Sequence, residues 1–229
     1  MTTFVLIHGA YQGGWIWQRV SARLSAQGHR VYAPSLDGCA ERAGALRPGI
    51  STETHGEEVA ELLRYEDLSD VVMVGTSSGG MVMAAAAERS RDRIARVVYV
   101  DALALFDGEK IRDIVTRPAA INTELALGPS REDAEQRMFV DLDEETRSWA
   151  AERVTLHPQA VFHQPVSLPR FWDQDWNASV LYCTRAPNPG RAHIERCATR
   201  INGRWAELDA GHYPMLSHPE ELTDFILSA

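Results

Sequence analysis

The chain's most reactive pattern is Val71-Val72-Met73-Val74-Gly75-Thr76-Ser77-Ser78-Gly79-Gly80-Met81-Val82-Met83. It sets a G-x-S-x-G motif between an apolar strand-like run and a helix-like stretch rich in alanine, Ala84–Ala87. That context is what a nucleophile elbow requires: a sharp strand-to-helix turn strains its central residue and lifts the Ser77 hydroxyl above the carboxyl edge of a sheet. Glycine suits positions 75 and 79 because a Cβ there would strike neighbouring backbone. The helix N-terminus beneath Ser77 favours negative charge that develops nearby. The motif alone also fits a plain strand–helix turn with a buried serine.

Two further segments complete a constellation. Ile7-His8-Gly9-Ala10-Tyr11-Gln12-Gly13-Gly14-Trp15-Ile16-Trp17 follows the first apolar run. Its HG-x-x-x-GGW pattern lets a loop fold back beside the serine. The backbone N–H of Ala10 would then point to where an oxyanion forms, with Ser78 as second donor. A GxGxxG dinucleotide fingerprint is absent. Near the C-terminus, Asp209-Ala210-Gly211-His212-Tyr213-Pro214 places a histidine just past the last apolar run. A histidine there, far in sequence from Ser77, suits a general base. His218 is the weaker candidate because it heads a helix at His218-Pro219.

These residues need a scaffold. Six apolar runs (Phe4–Ile7, Arg30–Ala33, Val71–Val74, Val97–Val100, Ser179–Cys183 and Arg204–Leu208) are mostly continuous rather than alternating, as parallel strands covered on both faces are. Helical patterns over Trp15–Ala26, Glu57–Glu66, Gly79–Arg89, Ile194–Ile201 and Pro219–Leu227 lie between them. This alternation predicts one α/β domain over 1–229, with a reduced six-stranded, mostly parallel, doubly wound sheet. The insert at about 106–171 breaks the alternation. Its helical patterns (Arg131–Met138 and Glu144–Val154) and scattered prolines predict a small helical cap with no strand partner. Tyr11, Trp15, Phe106 and Met215 are the candidate substrate-binding residues, on an apolar pocket under that cap.

Bulk properties narrow the function. With 229 residues, 45% of them hydrophobic, the chain can bury a core without staples. A net charge of −9 without a basic cluster argues against nucleic acid and, more weakly, against anionic membranes and substrates. Of 23 basic residues only Lys110 is a lysine, which points to a GC-rich, bacterial genome. The N-terminus has no positive n-region, and no run approaches the length of a membrane span. Cys39, Cys183 and Cys197 are odd in number and far apart, which reads as reduced thiols in a cytoplasmic protein. No CxxC or HExxH spacing suggests zinc.

The segments HGAYQGGWIW, VYAPSLDGCAER, VGTSSGGMV, VVYVDAL and GHYPMLSHPEEL, with the insert stretch from Leu156-His157-Pro158 to Pro165-Val166, span most of the chain. Taken together, they resemble the small α/β-hydrolases of the methylesterase, hydroxynitrile lyase and bacterial carboxylesterase group. The resemblance implies the α/β-hydrolase fold, Ser77 as nucleophile, His212 as base, and Ala10 and Ser78 as oxyanion donors. It also implies no metal and no organic cofactor. The expected activity is serine-dependent cleavage of a carboxylic ester, thioester or lactone of a neutral, apolar or aromatic small molecule.

The chain departs from the group where the triad acid belongs. Ala186 stands where an aspartate is expected. Asp101, ending Val97–Val100 at the edge of the adjacent strand, is the leading substitute. Asn188 and Asp209 are alternatives, as is a dyad. A missing acid would also admit a non-hydrolytic eliminase or cyclase of secondary metabolism with His212 as base, or a ligand-binding pseudoenzyme. Thr76 replaces a histidine common in relatives. Gly9 and Tyr213 replace the threonine and lysine expected for cyanohydrin cleavage.

Overall fold

A computed structural model describes residues 1–115 and 118–229. In chain order the strands are β1 (Thr3–Ile7), β2 (Arg30–Tyr32), β3 (Val71–Ser77), β4 (Ile94–Ala102), β5 (Ile121–Asn122), β6 (Ala126–Gly128), β7 (His157–Pro158), β8 (Ala178–Cys183) and β9 (Arg204–Leu208). The helices are α1 (Gln18–Ala26), α2 (Thr52–Tyr65), α3 (Gly79–Arg89), α4 (Arg131–Asp133), α5 (Glu144–Ala151), α6 (Ala160–His163), α7 (Arg191–Ile201), α8 (Pro214–Ser217) and α9 (Pro219–Ser228). The six long-range strands form one sheet in the order β2-β1-β3-β4-β8-β9, and every pairing in it is parallel.

Why the runs are continuously apolar is visible in how they divide. On β1, Val5 and Ile7 face α2, α3 and α7, joining Met73, Tyr99 and Val180. Phe4 and Leu6 face α1 and α9, joining Val74, Val100 and Leu181. Successive side chains point to opposite faces, and both faces are covered, so neither position tolerates polarity. Each fully buried Leu, Ile or Val contributes about 1.5–3 kcal/mol. All strands run the same way, so their carboxyl ends share one edge, and the loops that leave it carry the candidate residues.

Helix α2 begins at Thr52, well before the expected Glu57. Ser51 caps it: its hydroxyl accepts from the Thr54 amide, and Thr54 Oγ1 accepts from the Ser51 amide. This reciprocal cap satisfies two otherwise orphaned donors and starts the helix ahead of its apolar stripe.

The insert is a correction to the helical-cap expectation. It contains α4, α5 and α6, but also an antiparallel sheet β5-β6-β7, paired at Ile121–Gly128 and Ala126–Pro158. Strands of two or three residues are too short to leave a period-two pattern. The expected helix Arg131–Met138 divides into α4 and a π-helical turn, Ala134–Met138. The cap is tied to the edge by the Thr155 amide, which donates to the Tyr11 carbonyl at 3.0 Å. Among the described residues no helix is long and apolar enough to cross a membrane, and all three cysteines are buried and unpaired.

Candidate active site

Ser77 ends β3 at φ 50°, in the left-handed region, immediately before α3. A Cβ on Gly79 would lie 2.5 Å from the carbonyl oxygens of Ile7 and His8, and one on Gly75 would lie 2.8 Å from the Gly79 carbonyl oxygen. The elbow therefore closes tightly against β1. The half-buried Ser77 sits at the sheet's carboxyl edge, and its carbonyl accepts from the Leu103 amide at 2.8 Å.

Asp101 stands beside it through a break in register. Thr76 pairs with Val100, but Ser77 pairs with Ala102. Asp101 is thus the extra residue of a bulge, at φ 44°, and bulges re-aim side chains next to functional sites. Its carboxylate is fully buried. Oδ1 accepts from the Cys183 amide at 3.2 Å, and Oδ2 accepts from His212 Nδ1 at 2.5 Å. A carboxylate accepts, so the Nδ1 proton points to Asp101, and in the neutral tautomer this contact favours the lone pair is on Nε2. The loop bearing His212 leaves β9 and is pinned by the Arg185 amide donating to the Ala210 carbonyl at 3.0 Å.

The other acid candidates face elsewhere. The Asp209 side chain is 84% exposed and pairs with Arg185 at 3.3 Å. Asn188 lies on an exposed turn. Ala186 packs with Cys183 and Ala210 in a small apolar cluster. His218 Nδ1 pairs with the Ser217 hydroxyl at 2.8 Å, at the start of α9.

The loop from His8 to Gly14 folds back onto the serine. A Cβ on Gly9 would sit 2.5 Å from Ser77 Cβ and 3.1 Å from its Oγ. His8 is a brace for this loop. Its Nε2 accepts from the Leu36 amide at 3.0 Å, which leaves Nδ1–H to donate to the Gly9 carbonyl at 2.7 Å. Burial drives the His8 pKa down to about 4, so the ring is neutral. Gln12, almost fully buried, accepts from the Gly9 amide at 3.2 Å. Ala10 is buried between these anchors, and Tyr11 follows at φ 69°. Ser78 begins α3 from the other side of the serine. Left-handed non-glycine residues cost about 1–3 kcal/mol each and cluster at functional sites; Tyr11, Ser77 and Asp101 all lie at this edge.

Of the four candidate substrate-binding residues, only Tyr11 lines the apolar cavity beside the loop, whose walls include neither Ser77 nor His212. This cavity, of about 390 Å³, lies between the loop and the cap, with Phe162, Met138 and Val115 among its apolar walls. Tyr11 and Phe162 stack with centroids 5.7 Å apart. Arg112, Arg137 and Asp133 also line it, and Arg137 pairs with Asp133 at 2.9 Å. The other three are committed to packing. Trp15 meets the edge of Trp149 at 5.3 Å. Phe106 packs against Trp172 at 4.9 Å beneath the Arg196 guanidinium. Met215 is fully buried in the core. Phe162, Met138 and Gln12 carry no motif and stand out only once the chain is folded.

Over residues 4–225 the chain matches the model of the alpha/beta hydrolase family. It is 36% identical over 126 residues to a carbendazim hydrolyzing esterase of Nocardioides sp. strain SG-4G, a match covering 55% of this chain and 51% of that protein. It is 35% identical over 98 residues to methylesterase 8 of Arabidopsis thaliana, covering 42% of this chain and 36% of that one. The chain thus spans about half the length of the former relative and about a third of the latter. An extracellular alpha/beta-hydrolase from a Paenibacillus species superposes over the full chain and 99% of its own length, with a TM-score of 0.84 at 20% identity. The sheet order, the elbow and the family match converge: this chain belongs to the alpha/beta hydrolase family.

Proposed function

We propose that the protein is a carboxylic ester hydrolase working through an acyl-enzyme on Ser77. The observation that carries this reading is the Asp101–His212 pair at 2.5 Å beside a left-handed serine. Asp101 holds His212 with Nε2 unprotonated. Nε2 takes the Ser77 proton as Oγ attacks the ester carbonyl, and the amides of Ala10 and Ser78 receive the oxyanion. His212 returns the proton to the departing alcohol. It then deprotonates the water that attacks the acyl carbonyl, Ser77 leaves, and the carboxylic acid is released. The names of the esterase and methylesterase relatives favour the same chemistry.

Tyr11, next to Ala10, ties the cavity to the loop, and its stack with Phe162 suits the apolar or aromatic half of a small substrate. Thioesters and lactones present the same electrophile. A missing acid would strengthen the case for an eliminase, a cyclase or a pseudoenzyme, and the Asp101 carboxylate on His212 favours the hydrolase over them. Three buried, unpaired thiols suit a reducing compartment, and we place the protein in the cytoplasm of a bacterium.

A fluorophosphonate probe tests the reading. Wild-type protein labels at Ser77 and hydrolyses p-nitrophenyl butyrate and methyl benzoate; Ser77→Ala does neither. Wild-type protein that stays unlabelled, or a Ser77→Ala variant with undiminished turnover, refutes it.

A further inference from the structure

We infer that Thr155 of the cap is a positioning residue for the oxyanion donor, holding the turn beside Ala10 through two hydrogen bonds. This deepens the hydrolase reading and rests on it. Two non-glycine residues take left-handed turns near this loop, Tyr11 at φ 69° and Ala40 at φ 49°. Such backbone is costly for a residue with a Cβ and persists only where its surroundings hold it. Thr155 meets both turns. Its amide donates to the Tyr11 carbonyl at 3.0 Å, and its hydroxyl oxygen accepts from the Ala40 amide at 2.9 Å. The two segments also abut, since a Cβ on Gly13 would lie 2.3 Å from Ala40 Cβ. One cap residue therefore fastens two strained turns, and the first of them directly follows Ala10.

His157, two residues on, repeats the arrangement. Its Nδ1 lies 3.3 Å from the Sγ of Cys39, the neighbour of Ala40, and its ring meets the Tyr11 ring edge to face at 6.1 Å. Ala10 is thus gripped from both sides. Before it, the core holds the loop: His8 fixes the Gly9 carbonyl and Gln12 fixes the Gly9 amide. After it, the cap holds the loop through Thr155 and His157. The cap then does more than wall a cavity, because its seating and the aim of the Ala10 amide are one event. Neither Thr155 nor His157 touches the reacting atoms in this scheme. They act by keeping a donor where negative charge develops, and a donor helps only when aimed at the oxyanion's position.

Thr155→Val keeps the side-chain shape and leaves the Ala40 amide without its acceptor, whereas Thr155→Ser keeps the acceptor. Turnover of p-nitrophenyl butyrate is read beside inhibition by two ligands of one shape. An aryl trifluoromethyl ketone forms a serine adduct that carries an oxyanion; the matching aryl methyl ketone binds without one. We expect Thr155→Val to lower kcat about 5- to 20-fold, short of the loss of a whole donor. The trifluoromethyl ketone Ki should rise by the same factor, while KM and the methyl ketone Ki stay within about twofold. Thr155→Ser should stay within about twofold of wild type throughout. A kcat within twofold of wild type in Thr155→Val overturns the inference. So does an equal loss of affinity for both ketones, which marks general damage to the pocket, and so does a Thr155→Ser variant as impaired as Thr155→Val. If Thr155→Val does not fold, His157→Phe, which keeps a ring and removes the Cys39 contact, decides the matter by the same split between the ketones. Fluorophosphonate labelling separates this from the underlying reading: an unlabelled wild type sinks the hydrolase itself, whereas a labelled wild type with indifferent variants sinks only the role of Thr155.

Discussion

Replacing Asp101 by asparagine isolates the acid's chemical role from its packing. The Cys183 amide donates to Oδ1 at 3.2 Å and so demands an acceptor there. An asparagine must turn its carbonyl to Cys183, and its NH2 then faces His212 Nδ1, where the carboxylate now accepts at 2.5 Å. Two donors cannot share that bond, so Nδ1 gives up its proton and the ring carries it on Nε2. That is the wrong tautomer for a base that must take the Ser77 proton. The expected loss in kcat is about 10³- to 10⁴-fold, or about 4–5.5 kcal/mol of transition-state stabilisation. The fold should survive, because asparagine tolerates the φ of 44° that position 101 adopts. Stopped-flow hydrolysis and the rate of fluorophosphonate labelling should fall together, with a melting temperature within a few degrees of wild type. Asp209→Asn, at an exposed side chain paired with Arg185, should stay within twofold of wild type. An Asp101→Asn variant that keeps more than a tenth of wild-type kcat would refute the assignment.

Three other outcomes follow from the geometry. Gly9→Ala puts a Cβ 2.5 Å from Ser77 Cβ, and a displacement of that order should cut kcat about 100-fold; unchanged turnover would mean the loop does not abut the serine. Phe162→Ala opens the cavity wall stacked on Tyr11 and should raise KM for methyl benzoate about tenfold, from an aromatic contact of about 1–1.5 kcal/mol, while acetate esters change little. Stability should fall on acidification. Burial lowers His8 to about 4 from 6.5, and burial, aided by the Arg196 charge, lowers His193 to about 4. The unfolded chain takes up these protons first, so the stability is complete above about pH 6.5, is lost as pH falls toward 4, and falls no further from these groups below that. Each contributes on the order of 3 kcal/mol across the window at about 1.4 kcal/mol per unit. Urea midpoints that coincide at pH 7 and pH 5 would contradict this.

The contrast between Ser77 and Asp101 marks how far the chain can be read before it is folded. Ser77 and His212 are legible because each follows an apolar run at a parallel sheet's carboxyl edge, and the glycines about Ser77 declare a close backbone approach. The doubly wound sheet is legible for the same reason: continuous apolar runs are what two covered faces require. The cap's β5-β6-β7 sheet escapes because its strands are shorter than any detectable period. The early start of α2 is local and readable, but it lies in the Ser51–Thr54 cap rather than in hydrophobic spacing.

Large apolar residues mislead in a different way. Trp15, Phe106 and Met215 lie near the active edge in sequence, yet their rings or thioether fill cores on the sheet's faces or under the cap. Hydrophobicity reports that a residue leaves water, not what it meets. Sequence by itself determined the sheet and the elbow, and it singled out the candidate oxyanion loop and base, since each depends on local spacing against a strand end. Only tertiary structure decided which carboxylate meets His212 and that Tyr11 and Phe162 share one cavity. The reason is physical: these contacts join residues dozens to hundreds of positions apart, and a one-residue bulge at Asp101, invisible as a pattern, turns a strand-end carboxylate onto the imidazole.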